Sequence, residues 1–245
     1  MRDLEKYERD YVQLPFESIQ IEYRRRTLLM LLNAAKPRTI LEAGCGLRPI
    51  YQDFKEFTRL RIVEPAAMFL EGAVSGVPEN AVVECFNSTL EDHAAAFPND
   101  NFDVVILSSV LHEVEHPDIL VRSAMQLCSS PGIVHINVPN ARSFHRLLAV
   151  EMGLISDVFA LSDTQRTMQQ SRTYDLDSLK SYLEGFGLKI VDAGSYFVKP
   201  FTHAQMHCIL EKGCIGRDVI EALFGMSKYM PDLGSEIYVN ASPTA

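Results

Sequence analysis

Short runs of β-branched and aliphatic residues alternate with helix-forming stretches between residues 39 and 138. Because each run is apolar along its whole length, we expect strands that are buried on both faces. Strands that alternate with helices in this way form a parallel sheet with helices on both sides. The pattern therefore predicts an α/β fold. The five predicted strands cover residues 39–43, 59–64, 81–86, 102–108 and 133–138.

The regular alternation ends at Pro139. The next stretch, residues 140–173, is polar and contains helical pieces, and it is too long for a simple connection. The elements predicted beyond it are a helix over 175–185, a strand over 188–198, a second insertion over 202–234 and a last strand over 235–240. No linker rich in Gly, Ser or Pro divides the chain. We therefore predict one domain, 1–245, with a helical N-terminal arm (residues 1–36) and two insertions that cover its functional site.

Composition limits the partners of the chain. Its 245 residues are 47% hydrophobic and 22% charged, and the formal net charge is −9. This charge repels a nucleic-acid backbone on average, so we expect a small-molecule partner and no nucleic acid. The five cysteines form no CxxC pair, which favours free thiols and no metal site. A charged N-terminus and the lack of an apolar run of about 18 residues predict a cytoplasmic protein without membrane contact; homodimer formation is left open.

Two glycines one residue apart follow the first predicted strand, in the stretch TILEAGCGLRPI. Gly44 and Gly46 would allow positive φ and a close approach of the backbone to a ligand. Glu64 ends the second strand twenty residues after Gly44, where a carboxylate can accept hydrogen bonds from ribose hydroxyls. A dinucleotide fingerprint needs a glycine where this chain has Pro49, and a P-loop needs a GK[ST] sequence that is absent. Both of these interpretations are disfavoured.

Four segments resemble class I S-adenosylmethionine-dependent methyltransferases. They are LEAGCG (41–46), RIVEP (61–65), FDVVILSSVLHEVEHP (102–117) and GSEIYV (234–239). The resemblance covers most of the chain and is only weakly informative about the substrate. It implies a Rossmann-like doubly wound sheet of seven strands, mostly parallel with one antiparallel strand near the C-terminus. The implied cofactor is S-adenosylmethionine and the implied product S-adenosylhomocysteine. Arg48 departs from the family pattern, which usually has another glycine there.

The resemblance also implies roles for the residues at the strand ends. The implied cofactor-binding residues are Glu42, Gly44, Cys45, Gly46, Glu64, Pro65, Ser88, Thr89, Ser108 and Ser109. Among them Glu42 would orient the glycine loop or contact the amino group, and Glu64 would hold the ribose diol. The pair at 88–89 would meet the adenine. The pair at 108–109 would border the sulfonium, with helix capping as the alternative role. Tyr11, in the N-terminal arm, could shield the sulfonium by a cation–π contact.

Methyl transfer from a sulfonium is an in-line displacement, so the enzyme mainly aligns the reactants and excludes water. A hydroxyl acceptor must also lose a proton as it attacks. His112 follows the fourth strand, and histidine titrates in the range that suits a general base. Glu113 is the rival base. A role for His112 that is limited to packing under the cofactor stays open.

The first insertion supplies the predicted acceptor-binding residues, which are Asn140, His145, Arg146, Arg172 and Tyr174. A guanidinium group binds carboxylates and phosphates, so these arginines suggest an anionic acceptor. A solvated helix face is the alternative for each arginine. We expect O-methylation of a small molecule, and the family resemblance suggests specialised-metabolite or surface-saccharide biosynthesis as the setting. Transfer to nitrogen and a non-catalytic cofactor-binding role are the alternatives.

Overall fold

The computed structural model describes residues 3–77 and 82–244. These residues form a seven-stranded sheet of order β3-β2-β1-β4-β5-β7-β6. The strands are β1 (Thr39–Ala43), β2 (Arg59–Val63), β3 (Val83–Phe86), β4 (Phe102–Ser108), β5 (Cys128–Pro139), β6 (Leu188–Tyr196) and β7 (Glu236–Pro243). Strand β7 runs antiparallel to both of its neighbours, and the other pairs are parallel. The predicted Rossmann-like sheet with one antiparallel strand near the C-terminus is confirmed.

Ten α-helices surround the sheet in the described part of the chain. They are α1 (Leu4–Tyr11), α2 (Glu17–Ala35), α3 (Ala67–Ser75), α4 (Leu90–Ala96), α5 (Pro117–Leu127), α6 (Phe144–Glu151), α7 (Asp163–Thr167), α8 (Leu176–Glu184), α9 (His203–Glu211) and α10 (Arg217–Gly225). Helices α6 and α7 belong to the first predicted insertion, and α9 and α10 to the second. Short 3₁₀ turns cover Ile50–Gln52 and Met226–Lys228. No helix among these residues is both long and apolar enough to cross a membrane.

Three local predictions differ from the structure. The sequence YQDFKEF (51–57) favours a short helix, but the structure has a 3₁₀ turn at Ile50–Gln52, and Phe54 is buried beyond it. The sequence SSPG (129–132) predicts a turn before the fifth strand, but β5 already begins at Cys128. The pairing jumps from Phe102↔Cys128 to Val104↔Ile133, so that turn is a bulge within the strand. The third strand begins at 83, and residue 81, where we predicted its start, lies outside the described residues.

Strand β4 shows why the sheet is covered on both faces. Val104 and Ile106 lie in one apolar cluster together with Leu28 of α2. Val105 and Leu107 lie in a second cluster, which includes residues of α5 and α8. Successive side chains of a strand point to opposite faces, so a continuous apolar run contributes to two cores.

A third apolar cluster attaches the second insertion to the N-terminal segment. Phe16 and Tyr23 pack with Phe197, Met206 and Ile220. The rings of Tyr23 and Phe197 stack with their centroids 4.7 Å apart. Residues that are almost 200 positions apart in sequence therefore share one core, which fixes α2 beside α9 and α10.

The parallel strands β1, β4, β5 and β6 end at the same edge of the sheet. Because the strand order reverses between β1 and β4, a crevice for ligands is expected there. Helix α1 lies over this edge. Lys6 Nζ donates to the Thr167 carbonyl at 3.2 Å, and Glu8 accepts a hydrogen bond from the Met68 amide at 3.0 Å. The arm thus connects α3 to the first insertion above the crevice.

Candidate active site

The turn after β1 contains two glycines, so its backbone faces the crevice without side chains at these positions. Gly44 and Gly46 have φ values of +77° and +53°, which residues with a Cβ rarely adopt. A Cβ on Gly44 would lie 2.8 Å from Cγ2 of Val110. A Cβ on Gly46 would meet only the Tyr11 hydroxyl, at 4.0 Å. The first glycine is therefore required by packing, and the second leaves space beside the arm.

Glu64 lies against this turn and is only 4% exposed. Its Oε2 accepts a hydrogen bond from the Gly46 amide at 3.2 Å, and its Oε1 accepts one from the Ala66 amide at 2.9 Å. Burial raises the pKa of Glu64, while the amides of Ala66, Gly46 and Cys45 favour the ionised form. Each carboxylate oxygen can accept a second hydrogen bond. Glu64 thus combines a structural role in the turn with acceptor capacity at the crevice.

Glu42 does not line the crevice. It is fully buried and pairs with Arg25, with Nη1 and Oε1 separated by 3.0 Å. Its Oε2 accepts a hydrogen bond from the Ile50 amide at 2.8 Å, which fixes the chain that leaves the glycine turn. Arg48 pairs with Asp53, with Nε and Oδ2 separated by 2.9 Å. The geometry of Glu42 suits the loop-orienting role, and its side chain does not line the crevice.

The ends of β4 and β5 form the next part of the wall. Ser108 donates a hydrogen bond to Oδ1 of Asn137 at 2.7 Å. Ser109 has a φ of +58° and donates its amide to the Asn137 carbonyl at 3.0 Å. Both serines line the crevice, and neither caps α5, which begins after His116 with Pro117 at its first position.

His112 and Glu113 lie on the turn that follows β4. They are 2% and 9% exposed, and both line the crevice. Nε2 of His112 is 3.7 Å from Oε1 of Glu113. Gln170 of the first insertion lies on the other side, with its Nε2 3.5 Å from the same carboxylate oxygen. The two predicted catalytic residues are therefore adjacent and shielded from bulk water by the insertion.

The arm forms an aromatic wall opposite the sheet. The Tyr11 ring lies 5.7 Å from Phe69 and 5.6 Å from Tyr7, measured between centroids. The Tyr11 hydroxyl donates a hydrogen bond to Oε1 of Glu17 at 3.2 Å, and burial raises its pKa. Tyr11 is held in place beside Gly46, as a residue that covers a cofactor there would need to be.

Of Ser88 and Thr89, two polar residues that follow β3, only Thr89 lines the crevice. Thr89 lines the crevice and caps α4 through its side chain, which accepts a hydrogen bond from the Asp92 amide. Ser88 does not line the crevice, because its hydroxyl turns back to the Thr89 carbonyl at 2.9 Å. Asn87 instead donates to the carbonyls of Glu64 and Pro65, each at 3.0 Å. Pro65 and Cys45 line the crevice.

The residues predicted for the acceptor have varied positions. His145 and Arg146 line the crevice, but the Arg146 guanidinium donates to the Val158 carbonyl at 2.8 and 3.0 Å and to Gln165 Oε1 at 3.0 Å. Asn140 lines the crevice, while its side-chain amide donates to the carbonyls of Asp232 and Gly234 and joins the two insertions. The side chains of Arg146 and Asn140 therefore make their hydrogen bonds within the cover.

The remaining two acceptor predictions fall outside the crevice. Arg172 is exposed. Tyr174 is buried in the core, and its ring lies 5.9 Å from that of Tyr182. Arg172 is at the end of the insertion and Tyr174 directly follows it, shortly before α8 begins at Leu176. Neither lines the crevice.

The crevice is one continuous cavity of about 910 Å³. Its walls are the ends of β1, β2, β4 and β5, and its cover consists of α1, the first insertion and the start of α9. Ligand pockets commonly measure about 300–1,000 Å³. The cavity is at the upper end of this range, so two small molecules could lie side by side in it.

The sequence matches the family described as a methyltransferase domain over residues 16–193. This chain belongs to that methyltransferase family. It is a class I S-adenosylmethionine-dependent enzyme, and S-adenosylmethionine is its methyl donor. The predictions of family, enzymatic activity and cofactor are confirmed.

Several solved structures share the fold of the methyltransferase. The plantazolicin methyltransferase BamL is 14% identical, with 98% of each chain covered and a TM-score of 0.56. The N-methyltransferase NodS from Bradyrhizobium japonicum WM9 is 11% identical, with 95% of this chain and 90% of NodS covered and a TM-score of 0.57. A Thermotoga maritima protein described as a possible histamine N-methyltransferase is 14% identical, with coverage of 98% and 99% and a TM-score of 0.59. No curated protein matches the sequence significantly.

The residues of the methyltransferase fit its cofactor. The space beside Gly46 is one that a Cβ would narrow, and the buried Glu64 carboxylate borders the same space. The aromatic rings of Tyr11, from the arm, and Phe69, from α3, line the cavity beside it. An open backbone, a hydrogen-bond acceptor and an aromatic surface match the methionyl group, the ribose hydroxyls and the sulfonium, respectively.

A polar group in the cavity of the methyltransferase was missed from the sequence. Its members are Glu17, Arg24, Lys199, His203 and Glu236, and all of them line the cavity. Glu236 begins β7, whose reversed direction places its first residue at the edge where the parallel strands end. The seven-residue spacing of Glu17 and Arg24, two turns on one helix face, is the one signal that could have revealed part of this group.

Proposed function

We propose that this methyltransferase methylates a hydroxyl group of a small molecule. The observation that supports this best is the covered cavity of about 910 Å³ that joins the glycine turn to His112 and Glu113. A covered cavity admits a small acceptor and excludes a polymer segment that must pass through it. The reaction itself needs the acceptor atom, the methyl carbon and the sulfur in line, with water kept away.

When bound, S-adenosylmethionine supplies a methyl group on a positively charged sulfur. The backbone at Gly44 and Gly46 would approach its methionyl part, and Glu64 would accept hydrogen bonds from its ribose. Tyr11 would cover the sulfonium, and Thr89 would lie near the adenine. Ser88 is not retained in this set, because its hydroxyl faces the Thr89 carbonyl.

His112 would accept the proton of the acceptor hydroxyl. Its Nε2 lies 3.7 Å from Oε1 of Glu113, and a neighbouring carboxylate stabilises the imidazolium that forms when a histidine takes up a proton. Burial beneath the insertion strengthens this interaction, because the local dielectric is low. In this assignment Glu113 stabilises protonated His112. Glu113 would be the base itself only if turnover does not require His112.

Specialised-metabolite biosynthesis is the setting we propose, with surface-saccharide biosynthesis as the alternative. The plantazolicin methyltransferase BamL, which covers the whole fold, acts on a natural product according to its name. A second candidate reaction is transfer to nitrogen. NodS is described as an N-methyltransferase and the Thermotoga maritima protein as a possible histamine N-methyltransferase. A nitrogen acceptor has less need of a base.

The test uses an acceptor found by incubating the enzyme and methyl-labelled S-adenosylmethionine with small-molecule extracts. We expect His112→Ala to lower turnover by about 10²–10⁴-fold, because base assistance acts in the transition state. Affinity for S-adenosylhomocysteine should change by less than about threefold, which is under 1 kcal/mol. The pH–rate profile of the variant should lose its acidic limb.

Glu113→Gln separates the two bases. A larger loss in Glu113→Gln than in His112→Ala would assign the base to Glu113. If His112→Ala keeps more than about a third of the wild-type turnover from pH 6 to pH 9, far above a general-base loss, the histidine mechanism is wrong. The product's methylated atom, identified by NMR, decides between oxygen and nitrogen independently of the variants.

A further inference from the structure

Lys199 is a buried cation that faces the cavity. It follows β6, whose carboxyl end lies at the same edge as those of β1, β4 and β5. The residue is only 3% exposed and lines the cavity. Within the described part of the chain its ammonium group makes no hydrogen bond and no ion pair. A buried ammonium without a partner is costly, so its retention beside a cavity indicates a ligand.

The two carboxylates whose charges act on Lys199, those of Glu17 and Glu236, both pair with another cation, Arg24. Arg24 Nη2 lies 2.5 Å from Glu236 Oε1, and Arg24 Nη1 lies 3.2 Å from Glu17 Oε1. Burial raises the pKa of Glu17, whereas for Glu236 the charge and hydrogen bonds of Arg24 outweigh the effect of burial and lower the pKa. Glu17 and Glu236 attract Lys199 from beyond ion-pair distance and do not neutralise it by contact.

The other neighbours of Lys199 are two histidines that line the same part of the cavity. Burial and the charge of Lys199 lower the pKa of His203 to about 3 and hold that of His145 well below its usual value. Both imidazoles are therefore neutral at physiological pH and can donate or accept hydrogen bonds. They provide a polar lining without adding charge. Burial also lowers the pKa of Lys199 to about 7, against the pull of Glu17 and Glu236.

We propose that Lys199 binds a carboxylate group of the methyl acceptor. The inference rests on the proposed function, because it names the substrate class of the same cavity. A monoanionic carboxylate suits the site better than a phosphate dianion, since Glu17 and Glu236 border it and repel a second negative charge. The neutral His145 and His203 supply the remaining hydrogen bonds.

The position of Lys199 favours the acceptor over the carboxylate of the cofactor. In the sheet, β4, β5 and β7 separate β6 from β1. The glycine turn follows β1, and Lys199 follows β6. The cofactor's carboxylate belongs to the methionyl part, which the glycine turn would hold. The acceptor occupies the remaining part of the cavity, beyond His112.

The experiment uses the full chain saturated with S-adenosylhomocysteine and two matched pairs of probes, benzoate with benzamide and hexanoate with hexanamide. Titration calorimetry should show that at least one carboxylate binds about tenfold or more tightly than its amide, as expected for a charge-assisted contact. Lys199→Met should weaken carboxylate binding by about tenfold to a hundredfold and leave amide binding within about threefold. Lys189→Met removes an exposed lysine from β6 and is the control for charge.

Carboxylate affinity should also be higher at pH 6 than at pH 8, because Lys199 is charged below its pKa of about 7. The melting temperature of ligand-free Lys199→Met should equal or exceed that of the wild type, since methionine removes an unpaired buried charge. A clearly lower melting temperature would show that the ammonium has a structural partner and would overturn the inference.

Two further outcomes contradict the inference without touching the proposed function. Wild-type protein that binds S-adenosylhomocysteine but prefers neither carboxylate has no carboxylate site. If Lys199→Met weakens S-adenosylhomocysteine binding and spares the carboxylates, Lys199 serves the cofactor. The proposed function fails separately, when the wild type transfers no labelled methyl to any small molecule although Lys199 still selects carboxylates.

Discussion

The two sides of the cavity are built in different ways. On the cofactor side, the contacts come from short turns at the ends of β1 and β2, and much of the surface is backbone. The amides of Gly46 and Ala66 hold Glu64, and a missing Cβ at Gly46 leaves the space. On the side that we propose for the acceptor, side chains from opposite ends of the sequence meet, as Arg24 does with Glu236.

This difference has a physical origin. A cofactor shared by a whole family can be held by backbone geometry, because that geometry depends on few side chains. An acceptor differs between enzymes, so its recognition depends on side chains that can be exchanged without changing the sheet. Variants on the cofactor side should therefore affect S-adenosylhomocysteine binding strongly, and variants in the cover should affect it little.

The largest effect is expected from Gly44→Ala. The residue has a φ of +77°, and its new Cβ would lie 2.8 Å from Val110, so the turn must move. We expect calorimetry to show at least about a hundredfold loss of affinity for S-adenosylhomocysteine, since displaced backbone cannot make its hydrogen bonds.

Gly213→Ala is the matched control for Gly44→Ala. Gly213 has a φ of +65°, but nothing lies within 4 Å of a Cβ there. It should show a similar loss of stability from backbone strain, about 1–3 kcal/mol, with unchanged binding. Equal binding by both variants would show that the glycine turn does not hold the cofactor.

The second effect, of intermediate size, is expected from Glu64→Gln. The amide keeps one oxygen acceptor but places an NH₂ group against either the Gly46 or the Ala66 amide, and it removes the charge. Affinity for S-adenosylhomocysteine should fall by about tenfold to a hundredfold, as for a lost hydrogen bond to a charged group. Glu71→Gln, an exposed change on α3, should leave the affinity unaltered. If the two variants bind equally well, Glu64 has only a structural role.

The parts of the molecule that could be predicted are those determined by residues close together in the sequence. Strand β4 has the bounds predicted from its continuous apolar run, and α5 begins at Pro117, a residue type that favours the first helical position. The glycine turn was found because its ligand requires a particular backbone. These features depend on residues that are neighbours in sequence.

The acceptor side could not be predicted in the same way. Glu236 and Lys199 reach the cavity only because β7 runs against β5 and β6, so that its start and the end of β6 lie at one edge. Strand direction and pairing are properties of the whole sheet. The charge of the arginines in the first insertion suggested an anionic acceptor. Backbone carbonyls of a long insertion can equally accept hydrogen bonds from a guanidinium. Whether Arg146 also contacts an acceptor stays a prediction.

The smallest effect on the cofactor is expected from Arg146→Met, which tests that prediction. Arg146 holds the loop between α6 and α7 through Val158 and Gln165. Its loss should lower the stability of this loop by about 1–3 kcal/mol, which increases hydrogen exchange over 155–167 by about tenfold to a hundredfold. Affinity for S-adenosylhomocysteine should change by less than about threefold.

The control for Arg146→Met is Arg166→Met, in the same insertion. Arg166 forms only an exposed i,i+3 pair with Asp163, which contributes little, so exchange and acceptor binding should both match the wild type. If Arg146→Met abolishes acceptor binding while exchange over 155–167 is unchanged, the guanidinium is an acceptor ligand and the cover does not depend on it. If hydrogen exchange over 155–167 rises and acceptor affinity falls by no more than the increased opening of the loop explains, Arg146 positions the cover. In that case anion recognition belongs to Lys199.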